Sequence, residues 1–232
     1  MLLIEDMHAA YGESRVLFGM NLRVDRGEAV AMLGRNGMGK TTTVNSMFGL
    51  VRPTQGRINI DGHDLSGAAP YRIARAGLGL VPEGRIIFPN LTVEENLIAT
   101  ARSTDRKGKW TLKTIYGLFP RLEERRRNMG DQLSGGEQQM LAIGRALMTN
   151  PELIVLDEAT EGLAPIIRDQ IWSCLIHLKS EGEAILVIDK NVDALCRFTD
   201  RHYVVEKGRV VWEGSSEMLR ADTAIKDRYL KV

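Results

Sequence analysis

The chain has 232 residues, of which 44% are hydrophobic and 26% charged, and its net charge is +1. This is the composition of a folded protein with room for a sizeable core, and it argues against a general nucleic-acid binder. The first residues lack the basic flank and apolar run of a signal peptide, and no apolar stretch approaches the roughly 18–20 residues that cross a bilayer.

Short strand-like segments at 2–7, 16–24 and 57–60, separated by Gly and Asp turns, predict an antiparallel flank at the start of the chain. Residues 28–33 read as a buried strand that runs into a glycine loop. After the loop, Val44, Met47, Phe48 and Val51 recur at helical spacing. The loop itself, Gly34-Arg35-Asn36-Gly37-Met38-Gly39-Lys40-Thr41, fits GxxxxGK[ST] and sits between strand and helix, the context the motif requires. Its glycines let backbone N–H groups turn inward as an anion nest, and the helix start adds positive partial charge. Lys40 is expected at the β- and γ-phosphates of a nucleotide and Thr41 on Mg2+, with Thr42 beside them.

Farther on, Thr92-Val93-Glu94-Glu95 has capping-box spacing, and residues 96–148 carry a mainly helical pattern broken near 129–132. The chain therefore divides into an α/β core with its β flank, 1–88 and 149–232, and a helical subdomain, 89–148. Within the latter lies Leu133-Ser134-Gly135-Gly136-Glu137-Gln138-Gln139. Ser134 and Glu137 alone make an ordinary capping box. Two glycines in a first helical turn cost stability, and they also suit close approach of an anion, so both readings stand. The strand at 153–156 ends in Asp157-Glu158, beyond the carboxyl end of a sheet strand where ligands of open α/β sheets bind. Asp157 is the candidate for holding Mg2+, and Glu158 for activating a water as general base. Pro165 is placed to open a helix, Ala184–Ile188 reads as another strand, and 203–205 with 209–212 as a hairpin. Cys174 and Cys196 are too few for a metal cluster and are expected as buried free thiols, and the cluster Arg121, Arg125, Arg126, Arg127 as a solvated helix face.

A phosphate loop, then LSGGEQQ, then a strand ending in Asp-Glu is the order of ABC-family ATPases, and the resemblance runs essentially end to end. It implies a P-loop NTPase core of the RecA-like kind, with ATP and Mg2+ as ligands. It also implies that two cassettes sandwich ATP head to tail, so that Ser134, Gly135, Gly136 and Glu137 serve the nucleotide of the opposite subunit. By the same resemblance Tyr11 stacks on adenine, Glu83 falls where a glutamine usually contacts Mg2+, and 161–165 form the loop facing the partner cassette. The segments Val81-Pro82-Glu83-Gly84-Arg85, Leu118-Phe119-Pro120-Arg121-Leu122 and Gly162-Leu163-Ala164-Pro165-Ile166 are similar to the second ATPase type of branched-chain amino acid importers. This implies a subunit peripheral to the cytoplasmic face of the inner membrane, with transmembrane permeases and a second ATPase subunit as partners and a solute-binding protein indirectly. Urea and amide importers carry close relatives, and non-transport ABC ATPases are the other alternative.

The chain departs from the family pattern after the Ala184–Ile188 strand, where a histidine or glutamine usually faces the γ-phosphate. Here the sequence is Asp189-Lys190-Asn191, and none of His8, His63, His177 or His202 lies near enough to replace it. Lys190 is a point charge with three donors and no acceptor, so it can attract a phosphate but cannot accept a hydrogen bond. Ala159, in place of the usual proline, removes a φ restraint.

Overall fold

The computed structural model describes residues 1–102 and 108–230. Part of the helical expectation for 96–148 falls on 103–107, outside the described residues. Strands β1 (Leu2–Tyr11), β2 (Ser14–Val24), β4 (Gln55–Ile60) and β5 (His63–Asp64) form an antiparallel sheet in the order β2-β1-β4-β5. Between them in sequence, β3 (Ala29–Leu33) enters a second sheet and is followed by α1 (Lys40–Met47). Then come α2 (Pro70–Arg75), β6 (Leu78–Val81), α3 (Val93–Ala99), α4 (Leu112–Leu118), α5 (Pro120–Glu124) and α6 (Gly135–Met148). The chain continues through β7 (Leu153–Asp157), α7 (Pro165–Ser180), β8 (Ala184–Ile188), α8 (Val192–Leu195), β9 (Arg201–Glu206), β10 (Arg209–Ser215) and α9 (Ser216–Ala221), and closes with short helical turns to Leu230. The second sheet runs β10-β9-β3-β8-β7-β6, parallel except for β10.

The period-2 pleat of the parallel strands sorts their side chains between two cores. Val30, Met32, Val155, Leu186 and Ile188 face a core shared with the antiparallel flank. Ala29, Ala31, Leu33, Ile154, Leu156, Ile185 and Val187 face a core shared with the helices. Every residue of β3, β7 and β8 is buried, as expected for strands covered on both faces. Loops leaving the carboxyl ends of these strands are thereby held on a rigid base.

The helices α3 to α6 pack on one another through Leu97, Ile115, Leu122 and Gly144. A Cβ on Gly144 would lie 3.0 Å from Leu97 and 3.1 Å from Ile115, so the missing side chain is what lets these helices approach. Some boundaries differ from the sequence reading: β1, β2 and β4 extend beyond the segments 2–7, 16–24 and 57–60. Helix α1 stops at Met47 because Gly49 turns to φ 69°, which leaves Val51 outside the helix yet packed against the flank core. Short β6 and α2 gave no clear periodic signal in the sequence.

Candidate nucleotide site

The carboxyl end of β3 delivers the phosphate loop. Gly34 (φ 143°), Gly37 (φ 75°) and Gly39 (φ 102°) all have positive φ, which bends the loop around its own N–H groups. Gly39 has a second reason to lack a side chain: a Cβ there would sit 2.9 Å from Leu17 and 3.2 Å from the Gly208 Cα. A Cβ at Gly34 would collide with the Val205 carbonyl. The β9–β10 turn thus clamps the loop, and Met38 is part of the clamp, its carbonyl accepting from the Gly208 N–H at 2.9 Å.

Lys40 curls back into the loop and donates to the carbonyls of Gly34 (2.8 Å) and Arg35 (2.9 Å). Burial lowers its pKa from the usual lysine range, against the pull of Glu158 and Asp157. Thr41 donates its hydroxyl to Asp157, the last residue of β7. Asp157 is 2% exposed, its Oδ1 has no hydrogen-bond partner, and burial raises its pKa. A buried carboxylate oxygen left without a donor is costly unless a cation meets it. The donor set of Thr41, Asp157 and Glu83 is all oxygen, the chemistry a hard divalent cation takes.

Glu158 adopts φ 50° and donates its N–H to the Ile188 carbonyl at 2.9 Å, so adjacent strand ends fix its backbone. Burial and a hydrogen bond shared with Glu161 push its carboxyl above the usual range, while Lys190 opposes the shift. Asn36, Gly37, Gly39, Lys40, Thr41, Thr42, Glu83 and Glu158 together line a cleft of about 550 Å³, and Val16 and Glu161 complete it.

Other sequence-predicted residues lie apart from this cleft. Tyr11 ends β1 and is half exposed. Lys190 borders a neighbouring cleft, its ammonium 2.6 Å from Glu161 and 3.6 Å from Glu158. Ser134 caps α6, with the full box in place: its hydroxyl accepts from the Glu137 N–H at 3.3 Å, and Glu137 Oε2 accepts from the Ser134 N–H at 2.8 Å. Both glycines of this turn also have packing reasons. A Cβ on Gly136 would lie 2.8 Å from Ile167, and one on Gly135 would collide with the Arg85 guanidinium. Sequence reasoning placed Arg85 in the Val81–Arg85 segment and Glu161 in the loop 161–165, and missed their contacts with Gly135 and with Glu158 and Lys190. Their signals are faint: Arg85 has a positive φ next to a Pro-Glu-Gly turn, and Glu161 is simply an acidic residue three places after Glu158.

The family described as ABC transporter matches residues 17–161. The chain belongs to the ABC transporter family. It is an ABC-type ATPase subunit of a transporter, binding and hydrolysing ATP. The cassette is 38% identical to the high-affinity branched-chain amino acid transport ATP-binding protein BraG of Pseudomonas aeruginosa, over 99% of both chains. It is 35% identical to the lipopolysaccharide export system ATP-binding protein LptB of Haemophilus influenzae, over 99% of this chain and 97% of that one. Among solved structures, it is similar to a dimeric post-hydrolysis state of an ATP-binding cassette bound to ADP and Pi, with a TM-score of 0.79 and 27% identity over 93% of this chain and 99% of the other. No helix among the described residues is long and apolar enough to cross a membrane.

Proposed function

We propose that this cassette energises an importer of branched-chain amino acids by hydrolysing Mg–ATP at the phosphate-loop cleft. The observation that carries the hydrolytic reading is the convergence of the loop, Lys40, Thr41 and Glu158 on one cleft, with Asp157 hydrogen-bonded to Thr41. Lys40 has three donors and uses two on loop carbonyls, which leaves one for a phosphate oxygen. The loop N–H groups and the start of α1 bind the remaining phosphate charge. Thr41 and Asp157, with Glu83, would hold Mg2+, which when bound neutralises charge on the β- and γ-phosphates. Glu158 accepts the proton of the attacking water, whose oxygen forms the new bond to the γ-phosphorus as the bond to ADP breaks. Tyr11, exposed at the end of the β1–β2 hairpin, would stack on adenine.

The start of α6 serves a different nucleotide. Ser134, Gly135, Gly136 and Glu137 would face the γ-phosphate held by a partner cassette, a second copy or a sister ATPase, and the similar cassette solved as a dimer supports the pairing of two cassettes. We treat 89–148 as the helical subdomain that carries this segment and the remainder as the core with its flank. Transmembrane permeases would hold the cassette at the cytoplasmic face of the membrane, and a solute-binding protein would act through them.

The solute assignment rests on the full-length likeness to BraG. The likeness to LptB favours lipid export as a second reading. Purification from native membranes through a tag on this chain, followed by reconstitution into liposomes, separates the two. ATP-dependent leucine uptake supports the import reading. Co-purification of lipopolysaccharide-binding subunits, without amino acid uptake, would overturn it.

A further inference from the structure

The loops leaving β7 and β8 are joined at three levels. The Glu158 N–H donates to the Ile188 carbonyl. The Thr160 hydroxyl donates to the buried Asp189 carboxylate, which also accepts from the Asn191 N–H at 2.9 Å. Lys190 then donates to Glu161 Oε1 at 2.6 Å, and Glu161 shares a hydrogen bond with Glu158. Glu158 and Glu161 form the wall between the phosphate-loop cleft and a smaller cleft of about 340 Å³.

Backbone geometry fixes where the Glu158 side chain starts, through its left-handed φ and the bond to Ile188. It does not fix where the carboxylate ends. Glu83, Glu158 and Glu161 place carboxylate oxygens within 4.8 Å of one another, so the direction of the base carboxylate depends on which proton or cation lies among them. Lys190 is the cation set against two of them. A lysine stem is flexible and does not hold such a place unaided. Its shortest contact is with Glu161, not with the base.

We propose that Glu161 is a positioning residue for ATP hydrolysis: it holds Lys190 against Glu158, and the Glu161–Lys190 pair sets the direction of the base carboxylate. This rests on the assignment of Glu158 as the base. Lys190 then acts through Glu158 rather than by contact with ATP.

The test is steady-state ATPase of the transporter purified through this chain, with Glu161→Gln, Lys190→Ala and the swap Glu161→Lys/Lys190→Glu. Each single variant is expected to lower kcat about tenfold with KM within about twofold, and the swap to return kcat to within about threefold of the unmodified protein. Unchanged ATP affinity in a direct binding measurement establishes that the variants are folded. Single variants with unaltered kcat would overturn the proposal. So would a raised KM at constant kcat, or a swap as slow as either single. Glu158→Gln, run in the same series, separates the two levels. If it abolishes turnover while the 161 and 190 variants are normal, positioning by Glu161 is wrong and the base stands. If it retains full turnover, both fall.

Discussion

Two helix N-termini in this molecule carry glycines, yet they are built differently. At α1 the glycines take positive φ and the loop borders a cleft that Lys40, Thr41 and Glu158 line, with the buried Asp157 hydrogen-bonded to Thr41 behind them. At α6 the glycines lie inside the helix, and the local donors are already met by a capping box between Ser134 and Glu137. The first end gathers a glycine loop, a lysine and acidic side chains within one chain. The second is self-satisfied and exposes a turn whose small residues admit Arg85 and Ile167. The difference teaches that glycine at a helix start has two meanings, backbone freedom, which bends the loop at α1, and close packing, which admits Arg85 and Ile167 at α6.

The largest expected effect on this contrast is chemical. Glu158→Gln should lower turnover by about 10²–10⁴-fold with ATP still bound, read by single-turnover hydrolysis. Next is Gly39→Ala, which places a side chain at φ 102° and 2.9 Å from Leu17. It should cost about 1–3 kcal/mol by denaturant unfolding and abolish nucleotide binding. Ser134→Ala should cost about 1 kcal/mol through the lost cap. A larger fall in turnover of the assembled transporter than this loss accounts for would mark the role in the partner's site.

The remaining effect is a pH dependence remote from either helix end. His202 is fully buried, with Nε2 3.0 Å from the Thr199 hydroxyl and 2.7 Å from the Ser216 hydroxyl. Both hydroxyls already donate to carbonyls, of Leu195 and Thr199, so Nε2–H must be the donor. Protonation would place a second N–H on Nδ1, which has no partner. Burial accordingly lowers the His202 pKa from 6.5 to about 4. The folded state then binds its proton less readily than the unfolded chain. Its contribution to stability is full above pH 6.5 and declines as pH falls toward about 4. The melting temperature should fall over that range, and more shallowly for His202→Gln.

The phosphate loop was legible in the sequence because its requirements are local: glycines where φ is positive, then a lysine and a threonine entering a helix. Asp157 was legible because a run of buried apolar residues ends on it. The burial of β3 followed from its apolar composition, and the flank from its turns. What stayed hidden depends on residues far apart in sequence. Gly136 is small because Ile167 packs on it, and Glu161 matters because Lys190 lies across from it. Val51 was misplaced because one glycine, Gly49, outweighs apolar spacing when a helix ends.

The contrast between the two helix starts is tested most directly by the ATP affinity of the isolated chain, measured side by side for Lys40→Ala and Ser134→Ala. The structure predicts that Lys40→Ala weakens binding at least about tenfold, as loss of a charged phosphate contact should, while Ser134→Ala leaves it unchanged. Equal losses from both variants would contradict the assignment of the two ends to different nucleotides.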